Sequence, residues 1–224
     1  MFGWMSANTG MTKRMTEQTG AHDGGATGVM TGLSANINVA TAMGWRPVAA
    51  IAAGDRVMTF DAGLQKVTKV THTRLWNGEA PCPRRFWPLE VPVGLLGNRE
   101  PIQVLPHQSI LVESDAAELR YGDPFTLMRA DTLEGFARIA RVPPPADAEV
   151  VLLHFDDDQV VFTDNGALFF CPSSRDLLDS AAVSGPAPIY SVLPGDQARA
   201  LAGEIAAAVS CGCAGQGNRA PAMV

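Results

Sequence analysis

Few residues in this sequence are equipped for covalent or acid–base chemistry, and their spacing narrows the choice further. Histidine is the side chain that titrates near neutral pH, and the chain has four: His22, His72, His107 and His154. The cysteines are Cys82, Cys171, Cys211 and Cys213. Cys211 and Cys213 form a C-x-C pair in a Gly-rich stretch with no nearby histidine. Two thiolates fall short of the roughly four ligands of a closed zinc site, so the pair reads as two thiols in a free tail. Asp156-Asp157-Asp158 follow His154 closely. Calcium sites draw oxygens from alternating positions with a glycine for the bend, so three consecutive carboxylates read instead as the solvated tip of a hairpin. A metal-dependent hydrolase built on His154 and Asp156 to Asp158 is the minor alternative, and its ligands are few and sequential. No phosphate loop, dinucleotide fingerprint or Gly-x-Ser-x-Gly elbow is present. No metal and no cofactor is expected.

The elements that would position these groups are mostly strands. Apolar residues make up 46% of the 224-residue chain and charged residues 18%, enough for one sizeable core. The 22 glycines and 16 prolines suit turns between strands better than a helical bundle. Short runs rich in β-branched residues, closed by Gly or Asp, recur at 36–42, 45–51, 57–60, 64–75, 89–95, 102–105 and 109–113. Two further apolar runs, 149–155 and 159–163, flank the acidic triplet and read as a hairpin. Asp131-Thr132-Leu133-Glu134 has the capping pattern of one short helix. Leu201, Ile205 and Val209 recur every four residues among alanines, marking a C-terminal helix over 195–210. The expected organisation is a flexible leader over 1–32, a β domain over 33–194, that helix packed on it, and a disordered tail over 211–224.

Net charge of −6 argues against a protein that grips phosphate backbones, so no nucleic acid is expected. No apolar stretch reaches the ~20 residues of a membrane-spanning helix, and no secretory signal opens the chain, so the default expectation is a cytoplasmic monomer. Export without a signal peptide escapes this reasoning.

Gly44-Trp45-Arg46-Pro47-Val48 through Gly54-Asp55-Arg56-Val57 and Asp61-Ala62-Gly63 resemble the opening block of hedgehog/intein (Hint) domains, in particular the bacterial stand-alone subgroup. Val104-Leu105-Pro106-His107-Gln108-Ser109-Ile110-Leu111-Val112 is similar to the family's Pro-x-His motif and the strand after it, and Leu152 to Phe162 resembles its late hairpin. The resemblance spans residues 33–180 and implies a compact, all-β Hint-like fold with one or two short helices and the C-terminal helix. It also implies a reaction. A nucleophile at the domain's first residue, usually Cys, attacks the preceding carbonyl, and a histidine on the sheet protonates the departing amine.

The sequence departs from that scheme. No cysteine precedes Cys82; Gln108 stands where the family histidine follows Pro by two positions; Asp158 stands where the subgroup often has a second histidine. No His-Asn pair ends the chain as splicing inteins require. Ser34 is the nearest hydroxyl to the expected start, and it lies slightly too close to Gly44 for the family spacing. No catalytic residue is therefore expected. If self-cleavage remained, it would use Ser34 with His107 or His72 as acid. The leading expectation is a degenerate domain serving as a structural or binding module for a protein partner, with Trp76, Phe86 and Trp87 in a proline-rich loop as the candidate surface or, alternatively, as a cover for the sheet.

Overall fold

The protein is described by a computed structural model over residues 27–173 and 190–214. His22 and most of the leader, together with the tail beyond Ala214, lie outside the described residues. The strands are β1 (Leu33–Ser34), β2 (Asn38–Thr41), β3 (Gly44–Pro47), β4 (Arg56–Thr59), β5 (Gly63–Lys66), β6 (Lys69–Arg74), β7 (Leu89–Val91), β8 (Ile102–Val104), β9 (Ser109–Glu113), β10 (Phe125–Arg129), β11 (Ala140–Arg141), β12 (Glu149–His154), β13 (Gln159–Phe162) and β14 (Leu168–Cys171). Among the described residues, two α-helices, α1 (Asp115–Tyr121) and α2 (Gly195–Ala214), accompany the mostly-β architecture expected from the sequence.

The largest sheet runs β10-β9-β14-β13-β4-β2-β3, with β5 paired to β4. A second sheet, β1-β12-β6, carries the chain's first described strand at its edge, and β11-β7-β8 form a third. Alternation sets which face is buried. On β4, Val57 and Thr59 point inward while Arg56 and Met58 point out. The buried side chains Leu33, Val39, Val57, Val151, Phe155 and Phe169 belong to one continuous core, and α2 adds Ala198 and Leu201 to it.

Three expectations change. The runs 149–155 and 159–163 do not pair with each other. β12 joins β6 and β1, whereas β13 joins β14 and β4. Both runs are apolar on both faces, so periodicity identifies strands but not their neighbours. The late hairpin is β13–β14, turned at Asn165-Gly166, where Gly166 takes φ +92°. The helix expected at 131–134 is a single 3-10 turn, Ala130–Leu133. Its would-be caps are engaged elsewhere: Asp131 by Arg129, Glu134 by Arg141. The short α-helix is α1, capped by Ser114, whose hydroxyl accepts from the Ala116 N–H, and closed by Gly122 at φ +77°. Helix α2 extends four residues past the expected end and takes in Cys211 and Cys213.

Candidate functional site

Order begins upstream of Leu33. Gly28 bridges Trp76, the Val29 N–H donates to the Leu75 carbonyl at 2.9 Å, and the His107 N–H donates to the Met30 carbonyl at 2.8 Å. Segment 28–34 is thus held against the sheets by partners more than forty residues away. Such long-range hydrogen bonds carry no local sequence signal, and so the leader looks flexible when read alone.

The centre of this junction is Gln108, 2% exposed at the corner leading into β9. Its Oε1 accepts from the Gly32 N–H at 2.9 Å and from the Thr31 hydroxyl at 3.2 Å. Its Nε2 donates to the carbonyls of Ser109 and Phe170, each at 2.8 Å. A side-chain amide offers two acceptor and two donor directions, and all four are used. Gln108 therefore ties the incoming chain to β9 and β14. It cannot titrate and has no proton to release to a departing amine.

Gly32, whose N–H faces Gln108, is buried at φ +118°. A Cβ there would lie 2.5 Å from Val150 Cγ1, 3.1 Å from the Val151 carbonyl oxygen and 3.3 Å from Leu152 Cγ. The position has neither a side chain nor room for one. Thr31 and Gly32 were missed because their partner, Gln108, lies 77 and 76 residues away and leaves no local signal.

The sequence candidates do not converge. Ser34 pairs with Val150 and thence with Thr73, while His72 pairs with Val151, the partner of Leu33. Residues one register position apart project from opposite faces, so Ser34 and His72 lie on opposite sides of the β1-β12-β6 sheet. The His107 imidazole turns toward Asp131, with Nε2 4.0 Å from Oδ2. Asp158 accepts from the Ser173 N–H at 2.9 Å. Among the described residues, no three His, Cys, Asp or Glu side chains gather as a metal-sized cluster. Neither described thiol is activated: burial pushes Cys171 up to about 12 and also raises Cys82.

The aromatic loop is largely inward. Phe86 is fully buried and stacks at 5.3 Å on Trp76, whose Nε1 donates to the Ala80 carbonyl. Trp87 Nε1 donates to the Cys82 carbonyl. Phe86 and Trp76 pack with Leu75, Leu105 and Val150, while Trp87 is half-buried.

His154 lies 3.2 Å from the Thr71 hydroxyl through Nε2, and burial, with Lys69 nearby, lowers its pKa below 6.5. The unfolded chain thus binds the proton more readily than the folded one. Stability is full above about pH 6.5 and falls as pH drops from there toward the lowered folded pKa. Unfolding midpoints measured across that window should decline with acidification, and His154→Gln should flatten the decline.

A mostly-β fold whose first strand is clamped into the sheet by the residue after a Leu-Pro-His corner defines the class of protein to which this chain can be compared. The chain belongs to the Hint domain family: the family model matches residues 31–168. Solved structures with a similar fold include a bacterial intein-like domain from Clostridium thermocellum, at 16% identity, covering 63% of this chain and 99% of that one with a TM-score of 0.45. The gp41-1 intein is similar at 13% identity, over 62% of this chain and 96% of that one, with a TM-score of 0.38. No curated protein matches the chain. Among the described residues, no helix is long and apolar enough to cross a membrane.

Proposed function

We propose that this Hint domain does not cleave or splice itself and acts as a structural or binding module. The observation that carries the reading is the junction at Gln108. The family reaction needs a nucleophile on the residue whose amine departs and an acid facing that amine. Here the amine facing the histidine-equivalent position belongs to Gly32, which offers no nucleophile, and the facing group is an amide with no acidic proton. The hydroxyl of Thr31 also donates to the same oxygen, an arrangement that draws no proton off it.

The test is direct. The full chain, purified and held for long periods with and without a thiol or hydroxylamine, should keep its intact mass. Release of a fragment ending between Met30 and Ser34 would overturn the proposal. If that release vanished in Ser34→Ala or Thr31→Val, it would identify the hydroxyl responsible and revive self-cleavage.

A further inference from the structure

The strand registers place an apolar row on the outer face of one end of the large sheet. Trp45 pairs with Ala40, and Met58 with Leu64; the Thr41–Val57 pairing between β2 and β4 sets Ala40 beside Met58. Trp45, Ala40, Met58 and Leu64 therefore form one line across β3, β2, β4 and β5, about 14 Å long at the usual strand spacing. Trp45 is 55% exposed and Met43, in the adjoining turn, 86%. The next row on the same face sets Arg56 directly opposite Lys66. Like charges facing each other across a strand pair are unfavourable, and within the described residues no ion pair neutralises either one. The result is an apolar strip bordered by two uncompensated cations on a chain of net charge −6.

The opposite end of the same sheet carries the complement. Helix α1 connects β9 to β10 and exposes Asp115, Glu118 and Leu119 along one stripe, with Leu119 89% exposed. Neither carboxylate is engaged in an ion pair among the described residues. A seven-residue helix is about 10 Å long and fits along the 14 Å row.

We propose that these two surfaces bind each other between copies of the chain: Leu119 of one copy on the Trp45–Met58–Leu64 strip of the next, with Asp115 and Glu118 against Arg56 and Lys66. The two patches differ and sit at opposite ends of the sheet, so the contact is head-to-tail and does not close into a symmetric dimer. It departs from the monomer expected from the sequence and does not depend on whether the domain cleaves itself. A contact of this size belongs with small, transient interfaces, for which a dissociation constant on the order of 100 µM is reasonable.

Sedimentation of the full chain over a concentration series tests this. The mean mass should rise with concentration past the dimer and fall as salt screens the charges. Lys66→Glu and Leu119→Lys, both at exposed positions, should each weaken self-association at least ~10-fold. The decisive arm mixes the two variants. Lys66→Glu retains a working helix and Leu119→Lys a working strip, so the mixture should form a one-to-one dimer that grows no further. A chain that stays monomeric at every concentration overturns the proposal. So does a mixture no more associated than its components, which points to a symmetric contact. Monomeric protein retained on anionic vesicles through Trp45 and Lys66 also overturns it and assigns the strip to a membrane surface.

Discussion

Gly32→Ala is expected to destabilise the fold by about 2–6 kcal/mol, a large share of the 5–15 kcal/mol that typically holds a domain together. Two costs combine. A non-glycine residue at φ +118° carries roughly 1–3 kcal/mol of backbone strain. The added Cβ also meets Val150 Cγ1 at 2.5 Å, and Val150 is a β-branched side chain, 1% exposed, with little freedom to move aside. Overpacking of that kind costs about 1–3 kcal/mol. Urea denaturation should show a lower midpoint with an unchanged slope. Gly44→Ala and Gly54→Ala provide the control, because both glycines have positive φ but open space where a Cβ would stand. They should show the strain cost alone. The same argument applies to Cys at position 32, which shares the Cβ. On the proposed reading, in which position 32 stands where the family's nucleophile would, restoring a thiol there requires a different backbone path as well as a different side chain.

The second large effect is expected at Gln108. Gln108→Leu keeps much of the volume and removes every polar atom of the clamp. The buried Gly32 N–H loses its partner, and the Phe170 carbonyl loses a donor. An unsatisfied buried group costs about 1–3 kcal/mol, so a total near 2–4 kcal/mol is expected. Hydrogen exchange separates this local effect from general weakening. The Gly32 amide and its neighbours on the incoming strand should lose protection well before the β13–β14 hairpin does. Gln108→His returns a titratable group to the corner, yet the chain should still keep its mass, because position 32 has nothing with which to attack.

These two residues also show how the sequence and the fold divide the information. Gln108 was singled out in the sequence by its distance from Pro106, the spacing at which the resemblance places a histidine. Its role as a four-way hydrogen-bond clamp was not legible, because its partners, Gly32 and Phe170, lie 76 and 62 residues away. Gly32 was not legible at all. Glycine has no chemistry to notice, and its necessity follows from a φ and from the place of Val150 on another strand. The aromatic loop shows the same division. Prolines mark it as a loop, but only packing reveals that Phe86 faces inward.

The sequence by itself determined the mostly-β architecture, many of the strands, the C-terminal helix and the resemblance to the Hint family, while β10, β11 and β14 were not read from it. The features read are written in residue types or in periods of two and of about 3.6, which depend on neighbours along the chain. The tertiary structure decided which strands pair, that residues 28–32 are hydrogen-bonded to distant segments, that Ser34 and His72 face opposite ways, and that Trp45, Met58 and Leu64 share one outer row. Strand partners and register come from competition among distant segments for the same hydrogen bonds and the same core, and a single linear pattern does not encode the outcome.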